Sequence, residues 1–373
     1  MAVKKNIFVN ERLFFLNLQI TYSKPMRFII IPIFFISILL FFSVHISPAN
    51  WDYTGLLSLL IPVFVLLNLF LLVLLLFGRI KLIIFPIMAL LIGWRFFMVT
   101  FQWNVPDTET EGFSLLSYNV MLFNNNWESG REDRILNSIQ WAKENPSDIK
   151  CFQEFYQDFT TPSRNALKII GNDGEYEHSF LTVDGNPRKR SYGMAIFSRF
   201  PIINSGKVFD NRKNNGAMFA DLIIRQDTIR IYNTHLESMN IRAADLDNLQ
   251  GIKNQYRGTI RKLKQGIQMR ATQTEILKEH IKNSPHPVIL AGDFNDLPYS
   301  YTYFSLREIL ENGFEQMGRG FGFTYNRVLF FLRIDNIFFN RVLKVLQFNT
   351  HREVDYSDHY PISAVFAFPE KGQ

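Results

Sequence analysis

The sequence predicts an α/β domain that follows three membrane-spanning helices. Long apolar runs are confined to the first 101 residues, whereas apolar strand-like runs alternate with amphipathic stretches in the remainder. Most of the charged residues also follow position 100. We therefore expect a membrane anchor over residues 1–101 and a globular domain over residues 102–373.

The three apolar runs cover residues 27–46, 56–77 and 82–100, and each approaches the roughly 20 residues that cross a bilayer as a helix. A cleaved signal peptide would offer one shorter run, and buried helices of a soluble protein are the other alternative. Pro32, Pro62 and Pro86 lie inside the runs, where a membrane helix tolerates proline better than a soluble helix does. Arg95 lies near the end of the third run, so its side chain is expected to reach the interface.

The positions of the cations predict the orientation of the anchor. Lysines and arginines precede the first run, do not occur in the sequence of the 47–55 loop, and return in the next short loop. They are Lys4, Lys5, Arg12, Lys24 and Arg27 before the first run, and Arg79 and Lys81 in the second loop. The positive-inside rule then predicts a multi-pass protein of the inner or plasma membrane, with a cytoplasmic N-terminus and everything beyond Phe101 outside the cytoplasm.

The net charge belongs to the anchor. Residues 1–100 hold 8 of the 40 Lys and Arg and 2 of the 34 Asp and Glu, so the remainder carries 32 of each sign and no net charge. This balance argues against a domain that simply coats polyanions. The lone Cys151 lies in an apolar run and cannot form an internal disulfide, so we expect it to be a packing residue.

The globular part is predicted to alternate strands with helices. Several strand candidates are apolar on both faces, as expected for a sheet that is covered on both sides. The strand candidates are FSLLSYNVML, IKCFQEF, YGMAIFSR, MFADLII, TIRIYNTHL, PVILAGDFN, RIDNIFF and PISAVFAF. Helices are predicted over Arg131 to Asn145 and over Ile252 to Asn283, with Gly258 and Gly266 as weak points of the second.

Polar side chains fall at or just past the ends of many apolar strand candidates. They are Asn119, Glu154, His235, Asp293, Asn295, Asp335, Asp358 and His359. One such residue is usually a turn residue, but this many indicate a shared site, and the oxygen ligands suit Mg²⁺, with Mn²⁺ as the alternative ion. The sequence has no zinc-type Cys/His spacing, no GxxxxGK[ST] loop and no GxSxG elbow.

Six short motifs, in chain order over about residues 112–368, carry a resemblance to a known family. They are SYNV, FQEF, NTHL, GDFND, RIDNIFF and SDHYP. In this order they resemble the endonuclease/exonuclease/phosphatase superfamily, which holds DNase I-like nucleases, abasic-site endonucleases, neutral sphingomyelinases and inositol polyphosphate 5-phosphatases. The resemblance implies a four-layer α/β sandwich, two packed mixed β-sheets flanked by helices, and metal-dependent hydrolysis of phosphoric esters. It does not extend to the anchor.

The resemblance also implies a metal site and a group that acts on water. Glu154 would be the principal Mg²⁺ ligand, with Asn119 and Asp358 beside it. Asp293 would be the base or the orienting group for the attacking water, and Asn295 would donate a hydrogen bond to water or phosphate. Taken alone, each of these residues is more often structural.

Two histidines complete the implied catalytic set. His235 and His359 would donate hydrogen bonds to the phosphate oxygens, where charge must be stabilised during phosphoryl transfer. Asp335 would fix the tautomer of His359 and favour its imidazolium. Tyr192 matches the tyrosine of a family Tyr-x-Glu element and is taken as a substrate-binding residue.

Departures from the family pattern bear on the substrate. Tyr156 stands where DNase I-like enzymes have an arginine, Met194 stands where the Tyr-x-Glu element has its glutamate, and the WCDRI signature of 5-phosphatases is missing. YGMAIFSR is closer to the GLAILSR type of sphingomyelinase-like and uncharacterised bacterial members of the superfamily. We therefore expect a membrane-anchored phosphodiesterase of lipid or other small phosphodiesters.

Two alternatives stay open: a nuclease that cleaves DNA or RNA outside the cytoplasm, and a catalytically silent member that binds a phosphorylated ligand. The expected partners are a lipid headgroup or nucleic acid together with membrane lipids, and no protein partner is evident. Substrate identity, monoesterase or diesterase activity, the number of metal ions and the oligomeric state are left open by the sequence.

A basic amphipathic stretch lies between the His235 and Asp293 motifs. Its apolar face comprises Ile252, Tyr256, Ile260, Leu263 and Ile267, and its basic face Lys253, Arg257, Arg261 and Lys264. The stretch could lie on anionic lipid, but we favour an ordinary surface helix with its apolar face on the sheet and its basic face in water. Arg188, Lys189 and Arg190 are either a phosphate-attracting loop or solvated charges.

Overall fold

The computed structural model describes residues 26–78, 81–105, 107, 111–124, 132–211, 215–238, 249–327 and 329–368, without the side chains of 78, 124 and 249–257. Among the cations behind the predicted orientation, Lys4, Lys5, Arg12, Lys24 and Arg79 lie outside this description. The helices are α1 (Met26–Ser43), α2 (Thr54–Ser58), α3 (Ile61–Gly78), α4 (Ile84–Ile92), α5 (Trp94–Thr100), α6 (Glu132–Glu144), α7 (Ala166–Gly171), α8 (Leu249–Lys282), α9 (Tyr301–Arg307) and α10 (Gly313–Met317).

The strands form two large sheets and one short pair. They are β1 (Gln102–Trp103), β2 (Phe113–Asn119), β3 (Ile149–Asp158), β4 (Glu177–Gly185), β5 (Arg190–Ser198), β6 (Ile202–Asp210), β7 (Gly216–Ile224), β8 (Asp227–His235), β9 (Val288–Asp293), β10 (Glu311–Asn312), β11 (Arg319–Gly320), β12 (Asp335–Phe339), β13 (Lys344–Thr350) and β14 (Ile362–Ala367). The first sheet has the order β13-β14-β2-β3-β5-β4 and the second β10-β12-β9-β8-β7-β6, while β1 pairs with β11.

The N-terminal apolar runs form helices. By length and composition, α1 and the Thr54–Phe77 stretch could each cross a membrane. The third predicted run is a bent pair, Lys81–Ile92 and Trp94–Thr100, which meet at an angle of 55°. The bend falls at Gly93, where a Cβ atom would lie 2.6 Å from the ring of Phe41, so α1 packs closely at this point. Inside the bundle Asn68 Nδ2 donates to Ser37 Oγ at 2.7 Å, a buried polar link between α1 and α3.

Each large sheet contains one parallel pair within an otherwise antiparallel arrangement. In the first sheet β2 runs parallel to β3, and in the second β8 runs parallel to β9. A helix connects the strands of each pair, α6 in one case and α8 in the other, as a parallel connection requires. The two mixed sheets and their flanking helices confirm the predicted four-layer α/β sandwich.

Three apolar clusters separate the layers. One lies between the two sheets and contains Cys151, which is buried and unpaired as expected. A second packs α6 and α7 on the first sheet. The third packs α8 and α9 on the second sheet and extends into the anchor, through Phe41 and Val44 of the first run and Phe96 of α5. The anchor and the sandwich therefore share one apolar core.

Three longer strands, β4, β6 and β13, were not expected from the sequence. Each is the outermost strand at one edge of its sheet. An edge strand is half exposed, so its sequence carries polar residues and lacks the long apolar run of a central strand. The β6 sequence IINSGKVFD, for example, is exposed or partly exposed throughout.

Helix α8 is continuous over 34 residues and passes through Gly258 and Gly266, the two expected weak points, without a break. Each glycine costs a helix about 1 kcal/mol, and burial of Ile267, Leu277 and Ile281 along the same helix outweighs that cost.

The basic stretch on α8 packs against the anchor and is not simply a solvated face. Lys264 forms an ion pair with Asp52 and lies over the ring of Tyr53 at 4.1 Å. Ile267 packs against Gly55, where a Cβ atom would lie 2.2 Å from its Cγ2. The favoured water-facing interpretation is therefore wrong for Lys264.

The expected apolar face of the stretch is only partly buried. Ile260 is exposed although it was placed on that face. The side chains of Ile252, Lys253, Tyr256 and Arg257 lie outside the described residues.

Candidate active site

The strand topology brings the expected polar side chains to one edge of each sheet. Asn119 ends β2, His235 ends β8 and Asp293 ends β9. Asp335 instead begins β12, where it pairs with Asp293 in antiparallel register, and Asp358 precedes β14. The expectation that all of them follow a strand is wrong for Asp335, Asp358 and His359, because an antiparallel neighbour brings its N-terminal end to the same edge.

Gly292 allows β9 to approach β8 closely. Its φ is +150°, and a Cβ atom here would lie 1.9 Å from the carbonyl oxygen of Thr234. The close approach sets His235 beside Asp293 in the parallel register. The glycine of GDFND is therefore required by the geometry of the site.

Asp293 is the centre of the cluster and is almost fully buried. Its Oδ2 accepts a hydrogen bond from Asn119 Nδ2 at 3.0 Å, and its Oδ1 accepts one from the Asn295 amide at 2.8 Å. The Nε2 atoms of His235 and His359 lie 3.5 Å and 3.6 Å from Oδ2. One carboxylate thus stands between two imidazoles and an amide.

Glu154 lies within β3 and not at its end, because a bulge interrupts the strand. The register of β3 against β5 shifts between Phe152 and Phe155, and Glu154 adopts a φ of +48°, a conformation that costs a non-glycine residue about 1 kcal/mol or more. Its Oε1 lies 3.8 Å from His235 Nε2. Burial raises the pKa of Glu154, and the nearby Asp358 carboxylate adds to the rise.

Asp335 and His359 form a buried hydrogen-bonded pair. His359 Nδ1 and Asp335 Oδ2 are 2.9 Å apart. Burial alone would lower the pKa of His359, but the Asp335 and Asp293 carboxylates together raise it well above its usual value. The pair therefore favours an imidazolium whose Nε2 faces Asp293.

Asp358 is held next to Asn119 by the residue before it. Ser357 Oγ donates to the Asn119 carbonyl at 2.7 Å and approaches Asp358 Oδ1 at 3.3 Å. The SDHYP motif is thereby attached to the end of β2, which leaves the Asp358 carboxylate close enough to Glu154 to affect its pKa.

Asn295 and Tyr192 make specific contacts at the rim. Asn295 has a φ of +50° and so turns out of the strand, and its Nδ2 donates to the Leu236 carbonyl at 2.9 Å. The Tyr192 hydroxyl donates to Asp184 Oδ2 at 3.1 Å. Burial and this contact with Asp184 raise the pKa of Tyr192, to which Glu154 also contributes.

The three basic residues over 188–190 differ in their contacts. Arg190 Nε pairs with Asp158 Oδ2 at 3.0 Å, whereas Arg188 and Lys189 are exposed. Arg190 is thus held by a neighbouring carboxylate, which favours a structural part for it.

A buried polar bridge beneath the site was not expected from the sequence. Gln153 Nε2 donates to Asn233 Oδ1 at 2.7 Å, and Asn233 Nδ2 donates to the carbonyls of Phe152 and Ala195 at 2.9 Å and 3.0 Å. The bridge joins the first sheet to the second, since Gln153 precedes Glu154 in β3 and Asn233 lies two residues before His235 in β8. Gln153 lies in the FQEF motif and Asn233 in the NTHL motif, and these motifs are the sequence signal from which the bridge could have been predicted.

Tyr325 is a second residue that sequence reasoning missed. Its ring meets the His359 ring edge-on, with centroids 5.4 Å apart. Burial raises the pKa of Tyr325, and the Asp358 carboxylate adds to the rise. No motif surrounds Tyr325 in the sequence, so only the fold identifies it as part of the site wall.

The donor set fits a hard divalent cation. Within the described residues, the group with ligand atoms closest together is Asp293, Asp335 and His359, within 4.8 Å of one another. His359 Nδ1 already bonds to Asp335, so we interpret that group as a hydrogen-bonded pair beside a carboxylate. The Asp358 carboxylate helps to raise the pKa of Glu154, which shows that the two carboxylates are close, and an oxygen-only pair of this kind suits Mg²⁺ or Mn²⁺.

Comparison with known proteins identifies the family. The model of the Endonuclease/Exonuclease/phosphatase family matches residues 116–359. The chain belongs to this family. Its members hydrolyse phosphoric esters, and the family generally uses divalent metal ions. A second model, a domain of unknown function (DUF8431), matches residues 23–100.

One solved structure agrees with the family at the level of the fold. An endonuclease/exonuclease/phosphatase from Beutenbergia cavernae DSM 12333 is similar at 14% identity and a TM-score of 0.50, over 69% of this chain and 72% of that chain. The catalytic domain of human Nocturnin has 20% identity and a TM-score of 0.48, over 70% and 95%. A mannosyl-6-phosphatase from Bacteroides thetaiotaomicron VPI-5482 has 18% identity and a TM-score of 0.46, over 69% and 100%. No curated protein matches the sequence.

Proposed function

We propose that the chain is a Mg²⁺-dependent phosphodiesterase, anchored in a membrane by its N-terminal helices, that hydrolyses a lipid or other small phosphodiester by attack of water on phosphorus. The observation that carries the proposal is the convergence on Asp293. Its Oδ2 lies within 3.6 Å of both His235 Nε2 and His359 Nε2, and Asn119 donates to the same oxygen.

In this proposal Asp293 orients and deprotonates the attacking water, since its Oδ2 lies within 3.6 Å of Nε2 of both imidazoles. His235 and His359 donate hydrogen bonds to the non-bridging phosphate oxygens, where negative charge must be stabilised. Asp335 keeps the Nδ1 proton of His359 in place, so that Nε2 presents the other proton to the substrate. Asn295 donates to water or phosphate, and Tyr192 contacts the substrate at the rim.

Glu154, Asn119 and Asp358 would hold the cation. A bound Mg²⁺ would supply Lewis-acid stabilisation of charge on the phosphoryl oxygens. Asn119 can serve because, among the residues that the structure describes, its Oδ1 accepts one hydrogen bond, from the Met121 backbone amide at 3.0 Å, which leaves a lone pair. The bulge that turns Glu154 toward His235 supports its assignment as principal ligand.

The preference for a small or lipid substrate over DNA rests on two positions. Met194, where the family Tyr-x-Glu element has its glutamate, is fully buried in the cluster between the sheets, and so cannot support His235 with charge. Tyr156 packs against the cluster on the outer face of the first sheet and offers no cation to a minor groove.

The division into an anchor over 1–101 and a catalytic domain over 102–373 is supported by two separate family models, over 23–100 and 116–359. The contacts between them support the proposed three-span topology. Phe304 meets His45 and Phe96 with ring centroids 6.0 Å and 5.3 Å apart, and Tyr299 OH meets Thr100 Oγ1 at 2.8 Å. The sandwich thus contacts the end of α1 and the end of α5, which three spans would place on one side of the membrane.

The test is a substrate panel on the full-length protein in detergent, with Mg²⁺, Mn²⁺ or EDTA. The panel comprises bis-p-nitrophenyl phosphate, p-nitrophenyl phosphate, sphingomyelin, inositol phosphates and plasmid DNA, and Asp293→Asn is the matched inactive preparation. Metal-dependent turnover of a small or lipid diester that this variant lacks is the expected result. Turnover confined to plasmid DNA would favour the nuclease alternative. The absence of turnover of every substrate with both Mg²⁺ and Mn²⁺ would reject the proposed activity.

A further inference from the structure

The segment over 319–334, called here the 319–334 loop, is attached at both ends to the C-terminal end of α5, where the third apolar run ends. Its first residues form β11, which pairs with β1 through Gly320 and Gln102. Its last turn carries the buried Arg333, whose Nη2 donates to the Val99 carbonyl in α5. The rings of Phe101 and Phe321 also meet, with centroids 5.1 Å apart.

The middle of the 319–334 loop runs along the active site. The Asn326 amide donates to the Asp358 carbonyl at 2.7 Å, and Tyr325 packs edge-on against His359. Thr324 Oγ1 accepts from the Asp335 amide at 3.2 Å. One segment therefore touches the end of the anchor and the catalytic cluster.

The tip of the loop exposes aromatic side chains. The amides of Thr324 and Tyr325 both donate to the Leu332 carbonyl, at 2.9 Å and 3.2 Å, which closes a hairpin-like turn. Beyond this closure Phe330 is 65% exposed and Phe331 is 52% exposed. Adjacent large apolar side chains exposed in this way mark a surface that another phase or molecule covers.

The same edge carries further exposed aromatics. Phe321 is exposed, and Trp103, which directly follows α5, is 80% exposed. Arg327, at the loop tip, is exposed as well. Aromatic rings with a nearby cation are the composition of a membrane interface, where rings enter the headgroup level and cations meet lipid phosphates.

We infer that the 319–334 loop inserts Phe330 and Phe331 into the same bilayer that α1 and α3 cross, and so opens the active site toward phosphoesters at the membrane surface. We choose the bilayer as the phase that covers the aromatic tip because both ends of the loop are fixed to the C-terminal end of α5, where the third apolar run ends. This inference rests on the proposed function for its substrate class, a phosphoester carried by the bilayer. The membrane contact itself rests on the geometry of the loop and on the proposed membrane anchor, and it does not depend on the catalytic activity.

The test measures the depth of single labels. Cys151 is fully buried, so a cysteine introduced at Phe331 in the full-length chain is labelled selectively with an environment-sensitive fluorophore. The matched control is Val342→Cys, since Val342 is 54% exposed but follows β12, at the edge opposite to Asp335. Phe330→Cys serves as the second probe if Phe331→Cys fails to fold by circular dichroism.

The labelled proteins are placed in nanodiscs of phosphatidylethanolamine and phosphatidylglycerol that contain doxyl-labelled phosphatidylcholine. We expect the lipid-borne quencher to reduce the emission of the label at Phe331, and iodide to leave it unchanged. We expect iodide to quench the label at Val342, and the lipid-borne quencher to leave it unchanged. Iodide quenching at Phe331 equal to that at Val342 would overturn the inference. So would a label shielded from both quenchers, which would show that protein covers the tip.

The same nanodisc preparation of the unlabelled chain is assayed on bis-p-nitrophenyl phosphate. Lipid quenching without hydrolysis would reject the proposed function and leave the membrane contact established. Hydrolysis without lipid quenching would overturn the membrane contact and support the proposed function. The two failures are therefore distinguishable.

Discussion

The two aspartates of GDFND offer a direct test of which one acts on the substrate. Asp293 and Asp296 are three residues apart and both buried, but their partners differ. Asp293 contacts Asn119 and faces the imidazoles of His235 and His359. Asp296 Oδ2 lies 3.3 Å from Nε of Arg270, a side chain with no exposed surface.

The structure predicts opposite consequences for the two amide substitutions. Asp293→Asn keeps the shape of the residue and removes the carboxylate that we propose acts on water, so turnover should fall by about a thousandfold. Asp296→Asn leaves the guanidinium of Arg270 buried without its counter-ion. Removing one partner of such a pair costs about 3 to 5 kcal/mol. Because asparagine keeps one acceptor oxygen, we expect the lower end, about 3 kcal/mol.

The assay pairs kinetics with unfolding on the full-length protein in detergent. For a domain of this size about 3 kcal/mol corresponds to a fall in the unfolding midpoint of about 6 to 12 °C. We expect this fall for Asp296→Asn, with near-normal turnover by the folded fraction, and the reverse pattern for Asp293→Asn. Phe294, which lies between them, is 2% exposed and packs on Phe338.

The reasoning would be refuted by equal losses of turnover from the two substitutions with folding intact. That outcome would mean that the wrong aspartate has been chosen, or that the stretch is only a turn.

Asp335→Asn should move the alkaline limb of the kcat/KM profile to lower pH: Asp335 holds the pKa of His359 high, so the imidazolium is lost as pH rises through that raised value, and an unmoved limb would contradict this. Asn233→Ala should lower the free energy of unfolding by about 3 kcal/mol, because Gln153 and two carbonyls lose their buried partner; a neutral midpoint by thermal melting would argue against the bridge. A reporter active only outside the cytoplasm, fused after Gln373, should be active; activity of a cytoplasmic reporter alone would reverse the orientation.

The central strands could be predicted from the sequence because burial on both faces leaves a continuous apolar signal. β8 and β9, for example, were both expected and are buried along most of their length. The edge strands β4, β6 and β13 gave no such signal, because they lie half in water and pair on one side only. Position in the sheet therefore decided what the sequence could reveal.

The site was predictable where chemistry and position coincide in a motif. His235 and Asp293 follow directly from their strand ends. Glu154 was identified too, but its bulge was not, since a register shift depends on pairing with a distant strand. Tyr325 reaches His359 only through the path of the 319–334 loop, and such long-range contacts have no local sequence signal.

The central claim is that a divalent cation held by Glu154 supports hydrolysis at the Asp293 cluster. The most direct measurement compares turnover of bis-p-nitrophenyl phosphate by the wild-type protein and by Glu154→Gln, each in Mg²⁺, after EDTA, and after Mg²⁺ is restored. We predict that EDTA abolishes wild-type turnover, that Mg²⁺ restores it, and that the variant stays lower by orders of magnitude while its unfolding midpoint is retained. Wild-type turnover that resists EDTA, or a variant as active as the wild type at saturating Mg²⁺, would contradict the account.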